Sequence, residues 1–267
     1  MVWPVSHPPV SNGAVLIDGE GRITAVGPDA KVPHPAGVRA HEYPDAVLLP
    51  GFVNVHTHLE LTGLRGQIAE TDFVAWIQHV RRAKEAMDPP AYVEAACAGV
   101  REAWRHGTTT VADTGTSGAA AAALTDLGGS GIAYHEVIAP HPAQADEALA
   151  TARAAIDQLR RSAGPWVTIG VSPHAPYTVS EELFRRVVHY ARADGLAMAA
   201  HVAESHAEVE FLTANRGAFA EAWRSRGIPR GATTRSPVAW LDGLGVLGPQ
   251  LLAIHAVQTD AADTALL

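Results

Sequence analysis

Only one cysteine, Cys97, occurs in 267 residues, so no intrachain disulfide framework holds the chain and its fold must rest on a packed core. Cys97 itself falls on a helical apolar stripe with Val93, Ala96 and Val100 and reads as core packing. No apolar run reaches the roughly 18 residues that a membrane span needs. The opening Met1-Val2-Trp3-Pro4-Val5 lacks a basic segment followed by an apolar stretch, so the cytoplasm is the expected location and no membrane partner is expected. Positive charge is in deficit, with 20 basic against 28 acidic residues and a formal net charge of −8. An electrostatic footprint for nucleic acid is therefore missing, and an acidic ligand would need locally placed arginines. There is no Gly-x-Ser-x-Gly elbow, no Gly-x-x-x-x-Gly-Lys run and no Gly-x-Gly-x-x-Gly after a strand, which leaves serine hydrolase, nucleotide triphosphatase and dehydrogenase readings without support. What the chain does have is 47% apolar residues, enough for a sizeable core in one large α/β domain, alone or with a small appendage.

The organisation changes near residue 50. Before it, short strand candidates (Ala14 to Ile17, Arg22 to Val26, Ala46 to Leu49) are separated by Gly, Pro and Asp without helical periodicity, as in a small β module. After it, strands and helices alternate: strand 51–56, helices 72–87 and 90–106, strand 108–113, helix 117–127, strand 132–138, helix 142–162, strand 166–172, helix 181–194, strand 196–202, helix 205–215 and strand 251–256. Phe73, Trp76, Ile77, Val80 and Met87 form the i, i+3, i+4, i+7 stripe of the first helix. Pro89-Pro90 opens the second and Gly107 closes it. Ser180 before Glu181-Glu182 is an N-cap with an acidic first turn, and Gly195 stops that helix. Segment 216–250, rich in Gly, Pro, Arg and Trp, reads as a long loop with one short helix near Val238 to Leu244, a candidate lid.

Repeated βα units imply a parallel sheet, either doubly wound or a barrel. The histidines decide between them. His56 and His58 end the first strand two residues apart, so both imidazoles project to one side and can reach one metal ion. His174, His201 and His255 sit at or just past the ends of the fourth, fifth and sixth strands. Four contributing strand ends converge in a barrel, whereas an open sheet gathers ligands at one switch point. The fold class is thus a (β/α)₈ TIM-type barrel over 51–267 of which six strands are present, preceded at 1–50 by the N-terminal part of a small composite β-sandwich. Fourteen histidines are many for such a chain; His34, His79 and His189 lie on loops or polar helix faces and read as solvated.

Gly51-Phe52-Val53-Asn54-Val55-His56-Thr57-His58, Ser172-Pro173-His174-Ala175-Pro176-Tyr177, His201-Val202-Ala203-Glu204 and Ile254-His255, in this order and spacing, resemble the amidohydrolase superfamily. The branch is that of the deaminases and chlorohydrolases acting on cyclic amidines: adenosylhomocysteine, methylthioadenosine, guanine and aminodeoxyfutalosine deaminases and triazine hydrolases. The resemblance implies one divalent transition metal, zinc or iron, held by His56, His58 and His201, with an aspartate after an eighth strand that has no counterpart here. It implies that Glu204 is the proton carrier, that His255 polarises or orients a metal-bound hydroxide, and that His174 touches a small-molecule substrate. Trp76 and Arg65 are candidate pocket residues, although Trp76 also fits the apolar stripe and Arg65 a surface salt bridge. Glu60, close to His58, receives no role. The binuclear branch of the superfamily uses a carbamylated lysine at a strand end, and the two lysines here, Lys31 and Lys84, fall in a loop and a helix.

Neutral imidazoles suit zinc or iron, and three protein ligands plus water make an open catalytic site. An amidine carbon becomes a good electrophile only when its ring nitrogen is protonated, so a proton donor must stand near the metal. The expected activity is deamination of an adenine nucleoside derivative, 6-aminodeoxyfutalosine among them. The alternatives are dehalogenation or hydrolysis of another amidine by the same residues, and a truncated, catalytically incomplete homologue. On the last view the chain stops about where the helix after strand six should begin, two strand edges are left unpaired, and the polypeptide alone is expected to be poorly soluble or inactive. Relatives of this kind are often dimers, which makes a homodimer one expected state.

Overall fold

The chain divides into two units, Met1–Phe52 and Val53–Leu267, in a computed structural model that describes every residue except Arg230. In the first unit, β1 (Gly13–Ile17) and β2 (Ile23–Pro28) form a two-stranded antiparallel sheet. The turn between them is closed by the Asp18 carboxylate, which accepts from the backbone N–H groups of Glu20 and Arg22, both at 2.9 Å. The strand expected at Ala46 to Leu49 is absent. Only Leu48 pairs, in an isolated bridge to Val2. Pro44 and Pro50 flank the run and carry no N–H to extend a ladder.

The second unit is built on six strands in sequential order. β3 (Phe52–Thr57) leads through a 3₁₀ turn, Leu59–Leu64, to α1 (Phe73–Glu85) and α2 (Pro89–Arg105). Then come β4 (Thr108–Gly115), α3 (Ala119–Leu127), β5 (Ser130–Val137), α4 (Ala145–Ser162), β6 (Val167–Pro173), α5 (Glu181–Ala193) and β7 (Met198–Val202). They are followed by α6 (His206–Ala214), α7 (Gly217–Ser225), α8 (Pro237–Gly243), β8 (Leu251–His255) and a single turn, α9 (Ala261–Thr264). The pairings from β4 to β8 are parallel, as helix crossovers require. The sheet is curved until it nearly closes as a barrel: the ring centroids of His56, on edge strand β3, and His255, on edge strand β8, are 5.1 Å apart. Among the described residues no helix is long and apolar enough to cross a membrane.

Local chemistry explains the helix starts. The side chains of Asp72, Asp88, Ser180, Ser205 and Ser236 each accept a backbone N–H of the first turn of the helix they precede, a contribution of about 0.5–2 kcal/mol apiece. α2 ends at His106, followed by Gly107 at φ +82°, a conformation glycine takes without steric cost. The core lies between helices and sheet. Ala119, Ala120, Ala121 and Ala123 of α3 are buried there, and their small side chains let the helix approach closely. Cys97 packs half-buried against this core.

One correction concerns segment 216–250, where helix α7 precedes the expected α8. Phe219, Ala220 and Trp223 all turn one face inward, at the i, i+1, i+4 spacing of a short amphipathic helix that the Gly- and Arg-rich composition around them disguises.

Candidate active site

The end of β3 is held by a buried carboxylate. Asp113, on β4 and 1% exposed, accepts from the Leu59 N–H at 2.6 Å and from the Thr57 hydroxyl at 3.0 Å. Burial pushes its pKa well up, against the pull of these two donors. Its grip on the residues before and after His58 fixes where that imidazole points.

His58 and His201 then face each other with a defined protonation pattern. The Nδ1 of His58 lies 2.8 Å from the Thr114 carbonyl, and the Nδ1 of His201 lies 3.0 Å from the His174 carbonyl. A carbonyl oxygen only accepts, so each Nδ1 carries the hydrogen and each Nε2 is a bare lone pair. These two Nε2 atoms stand 3.4 Å apart between parallel rings. Two lone pairs so placed repel unless a cation lies with them. A proton serves poorly, because burial, the first cause in each case, lowers the pKa of both rings. The donor chemistry therefore fits a transition-metal ion, and backbone carbonyls behind ligating histidines are the usual means of fixing their tautomer.

His56 completes the group from the same strand, with its ring centroid 4.8 Å from that of His58 and 5.0 Å from that of His201. Its pKa falls to about 4, first through burial and then through the neighbouring histidines. Its Nδ1 is buried with no hydrogen-bond partner among the described residues. Ring nitrogens of His56, His201 and His255 lie within 4.8 Å of one another. His255 ends β8 in the left-handed region, φ +74°, followed by Ala256 at φ +50°. Such backbone is costly for residues with a Cβ and concentrates at functional sites.

Glu204, three residues after His201, bridges two side chains. One oxygen accepts from the Tyr177 hydroxyl at 3.0 Å, and the other lies 3.3 Å from the Nε2 of His255. Burial raises its pKa, opposed by His255 and by the Tyr177 hydrogen bond. The Tyr177 hydroxyl is pushed well above its usual range by burial and by the nearby glutamates, so it stays a donor. His174, whose pKa falls to about 4 through burial and the nearby Lys84 and His255, hydrogen-bonds to the Thr178 hydroxyl at 2.7 Å.

Glu136, Lys84 and Glu60 also stand near these histidines, and the sequence reading gave none of them a role. Glu136, at the end of β5 and 6% exposed, places one oxygen 3.8 Å from His174 Nε2 and 3.9 Å from His201 Nδ1. That oxygen has no hydrogen-bond partner among the described residues. Glu136, His174 and His201 are close enough to resemble a second ligand set, yet the hydrogen of His201 Nδ1 is already given to a carbonyl, which leaves no lone pair on that side. The buried Glu60 pairs with the half-buried Lys84 ammonium, with Ser117 also donating to Glu60. Gly115 makes room for it, since a Cβ there would lie 3.1 Å from a Glu60 oxygen. Asp113 and Glu136 carry the same signal as the histidines, a polar side chain at the C-terminal end of an apolar strand; Lys84 on a helix carries none.

The two candidate pocket residues, Arg65 and Trp76, make contacts of different kinds. Arg65 is exposed and pairs with Glu102 of α2 at 2.9 Å, as a surface salt bridge. Trp76 stacks on Phe73, whose ring stands nearly perpendicular to those of Tyr177 and Phe219.

A sequence model of the amidohydrolase family matches residues 47–266. Aminodeoxyfutalosine deaminase of Deinococcus radiodurans is 34% identical over 275 residues, covering 96% of this chain and 62% of that protein. A 5-methylthioadenosine/S-adenosylhomocysteine deaminase of Symbiobacterium thermophilum is 31% identical, covering 96% of this chain and 56% of the relative. Among solved structures, an adenosine deaminase of Xanthomonas campestris with bound zinc superposes with a TM-score of 0.78 at 28% identity, over 99% of this chain and 58% of that one. The chain thus spans about three fifths of the length of the proteins it matches.

Proposed function

The chain belongs to the amidohydrolase family, and from that premise we propose that its site is that of a metal-dependent aminohydrolase removing the exocyclic amine of a purine-like cyclic amidine. The observation that carries this reading is the pair of bare Nε2 atoms on His58 and His201, 3.4 Å apart, with Glu204 bonded between Tyr177 and His255 on the neighbouring strand ends. The favoured substrate is an adenine nucleoside derivative, 6-aminodeoxyfutalosine first, in keeping with the relative from Deinococcus radiodurans.

His56, His58 and His201 would hold one divalent transition ion, zinc or iron, since imidazole accepts both. Such an ion, when bound, lowers the pKa of a coordinated water to about 7 and supplies a nucleophile at neutral pH. Glu204 takes one proton of the attacking water and gives it to the ring nitrogen, which makes the amine-bearing carbon electrophilic. The water oxygen bonds to that carbon, the second water proton passes to the amine, and the C–N bond breaks to release ammonia and leave a ring carbonyl. Tyr177 holds one Glu204 oxygen as a hydrogen-bond donor, so the oxygen facing His255 is the one that carries the proton. His255 orients the nucleophile, and His174 meets the substrate ring.

Ammonia release measured over adenine nucleosides, guanine and chlorotriazines tests the reading. We expect release from the adenine nucleosides, and a loss of about 10²–10⁴-fold in Glu204→Gln at unchanged metal content, the usual worth of a general acid–base group. Chloride release confined to chlorotriazines, or full turnover by Glu204→Gln, would overturn it.

A further inference from the structure

One buried carboxylate beside the site has no part in the chemistry above. Glu208, in the first turn of α6, is 0% exposed. One of its oxygens accepts from the Ala203 N–H at 2.9 Å and the other from the Glu204 N–H at 2.8 Å. Ser205 and Glu208 occupy the N-cap and third positions of α6, and the Ser205 hydroxyl accepts from the Glu208 N–H at 3.3 Å. That is the spacing of a capping box, in which the acidic side chain returns to the N–H of the capping residue itself. Here it extends one and two residues further back, to the junction between β7 and α6.

That junction is strained and shared. Ala203 takes φ +53°, the left-handed region that disfavours a residue with a Cβ. Its carbonyl accepts from Val257 at 3.0 Å and Gln258 at 2.8 Å, while Ala256 N–H donates to Val202 at 3.0 Å. The ends of β7 and β8 are therefore tied together at the residue whose N–H Glu208 holds, and Glu204 and His255 leave from either side of the tie. Turning Ala203 back to ordinary backbone would release the Glu208 contact and swing the Glu204 side chain away from Tyr177 and His255.

We propose that Glu208 is a positioning residue, which sets the Glu204 carboxylate for proton transfer by clamping the backbone at Ala203 and Glu204 without touching substrate. The inference rests on the role given to Glu204 above. In Glu208→Gln the amide NH₂ cannot accept from an N–H, so one of the two clamped groups loses its partner while size and burial are kept. Expected is a kcat for ammonia release lowered by about 10–100-fold with KM within about twofold and metal content unchanged, the pattern of an interaction made in the transition state. A crystal structure of the variant should show Glu204 departed from the Tyr177 hydroxyl. Ser205→Ala, which removes the helix cap and leaves the clamp, should lower the melting temperature and keep kcat. Where Glu208→Gln does not fold, the Ala203→Gly background carries the same comparison, because glycine removes the steric cost of the left-handed backbone but takes the ordinary one as readily, so the position of Glu204 still depends on the clamp.

Unchanged kcat on adding Glu208→Gln to either background, or a variant structure in which Glu204 keeps both contacts, overturns the proposal. So does an equal loss of kcat in Ser205→Ala. The two levels are separable: turnover surviving Glu204→Gln overturns the reading of the site, whereas turnover lost in Glu204→Gln but retained in Glu208→Gln overturns only the clamp.

Discussion

The histidines at the mouth of the sheet fall into two kinds. His58 and His201 each spend the Nδ1 hydrogen on a backbone carbonyl, so the fold dictates which nitrogen is free and where it points. His56 and His255 show no such backbone tether among the described residues: the Nδ1 of one is buried without a hydrogen-bond partner, and the Nε2 of the other lies 3.3 Å from a Glu204 oxygen. The tethered pair makes a preorganised two-nitrogen seat, and the untethered pair closes around it from the two sheet edges. Affinity for a cation should therefore reside in the first pair and adjustability in the second.

Removing one member of each kind tests that difference with the largest effect. His201→Ala should abolish stoichiometric binding of zinc by the purified chain, whereas His255→Ala should weaken it by about 10–100-fold, the range of groups that support ligands. Equal losses in a titration with a competing chelator would erase the distinction. Next in size is the carboxylate behind the seat. Asp113→Ala leaves the buried Leu59 N–H without its acceptor and the Thr57 hydroxyl with the Ala112 carbonyl alone, at a cost of about 1–3 kcal/mol for the orphaned buried group. Denaturant melts of the metal-free protein should show that loss, and zinc affinity should fall with it. Unchanged affinity would mean that His58 does not depend on the Asp113 grip.

The smallest effect is on pH. The pKa values of His56 and His174 are lowered to about 4 in the folded chain, from an ordinary 6.5. The unfolded chain therefore binds more protons than the folded one between those values, and the stability these two neutral rings contribute is present above 6.5 and lost as pH falls toward 4. Glu208, raised to about 7 by burial, acts with the opposite sign, costing stability as pH rises from 4.5 through 7. Thermal melts of the metal-free chain and of a His56→Asn/His174→Asn variant should converge at pH 4.5 and differ at pH 7. Parallel curves would show that neither ring is held neutral by the fold.

Much of this site is legible in the chain because strand ends are local features. An apolar run closing on His56-Thr57-His58, on His174, on His201 or on His255 announces itself, and βα alternation supplies the frame that brings four such ends together. Asp113 and Glu136 obey the same rule and can be read the same way, since each interrupts an apolar strand near its end. Glu208 is harder: Ser205 and Glu208 look like ordinary helix capping, and only the left-handed turn at Ala203 reveals where the carboxylate reaches. The Lys84 pairing with Glu60 has no local signature, because a helix residue and a 3₁₀ turn meet through tertiary packing alone. Helix α7 was hidden by composition, its three inward residues being too few to mark a period among glycines and arginines.

The central claim is that the bare nitrogens of His58 and His201 grip one cation. X-ray absorption spectroscopy of the zinc-loaded chain tests it most directly, compared with the His58→Ala/His201→Ala double variant. The account predicts a first shell containing imidazole nitrogen at about 2.0–2.1 Å, the usual zinc–histidine distance, which disappears with loss of the metal in the double variant. A shell of oxygen alone, or zinc retained with the same spectrum after both substitutions, would contradict it.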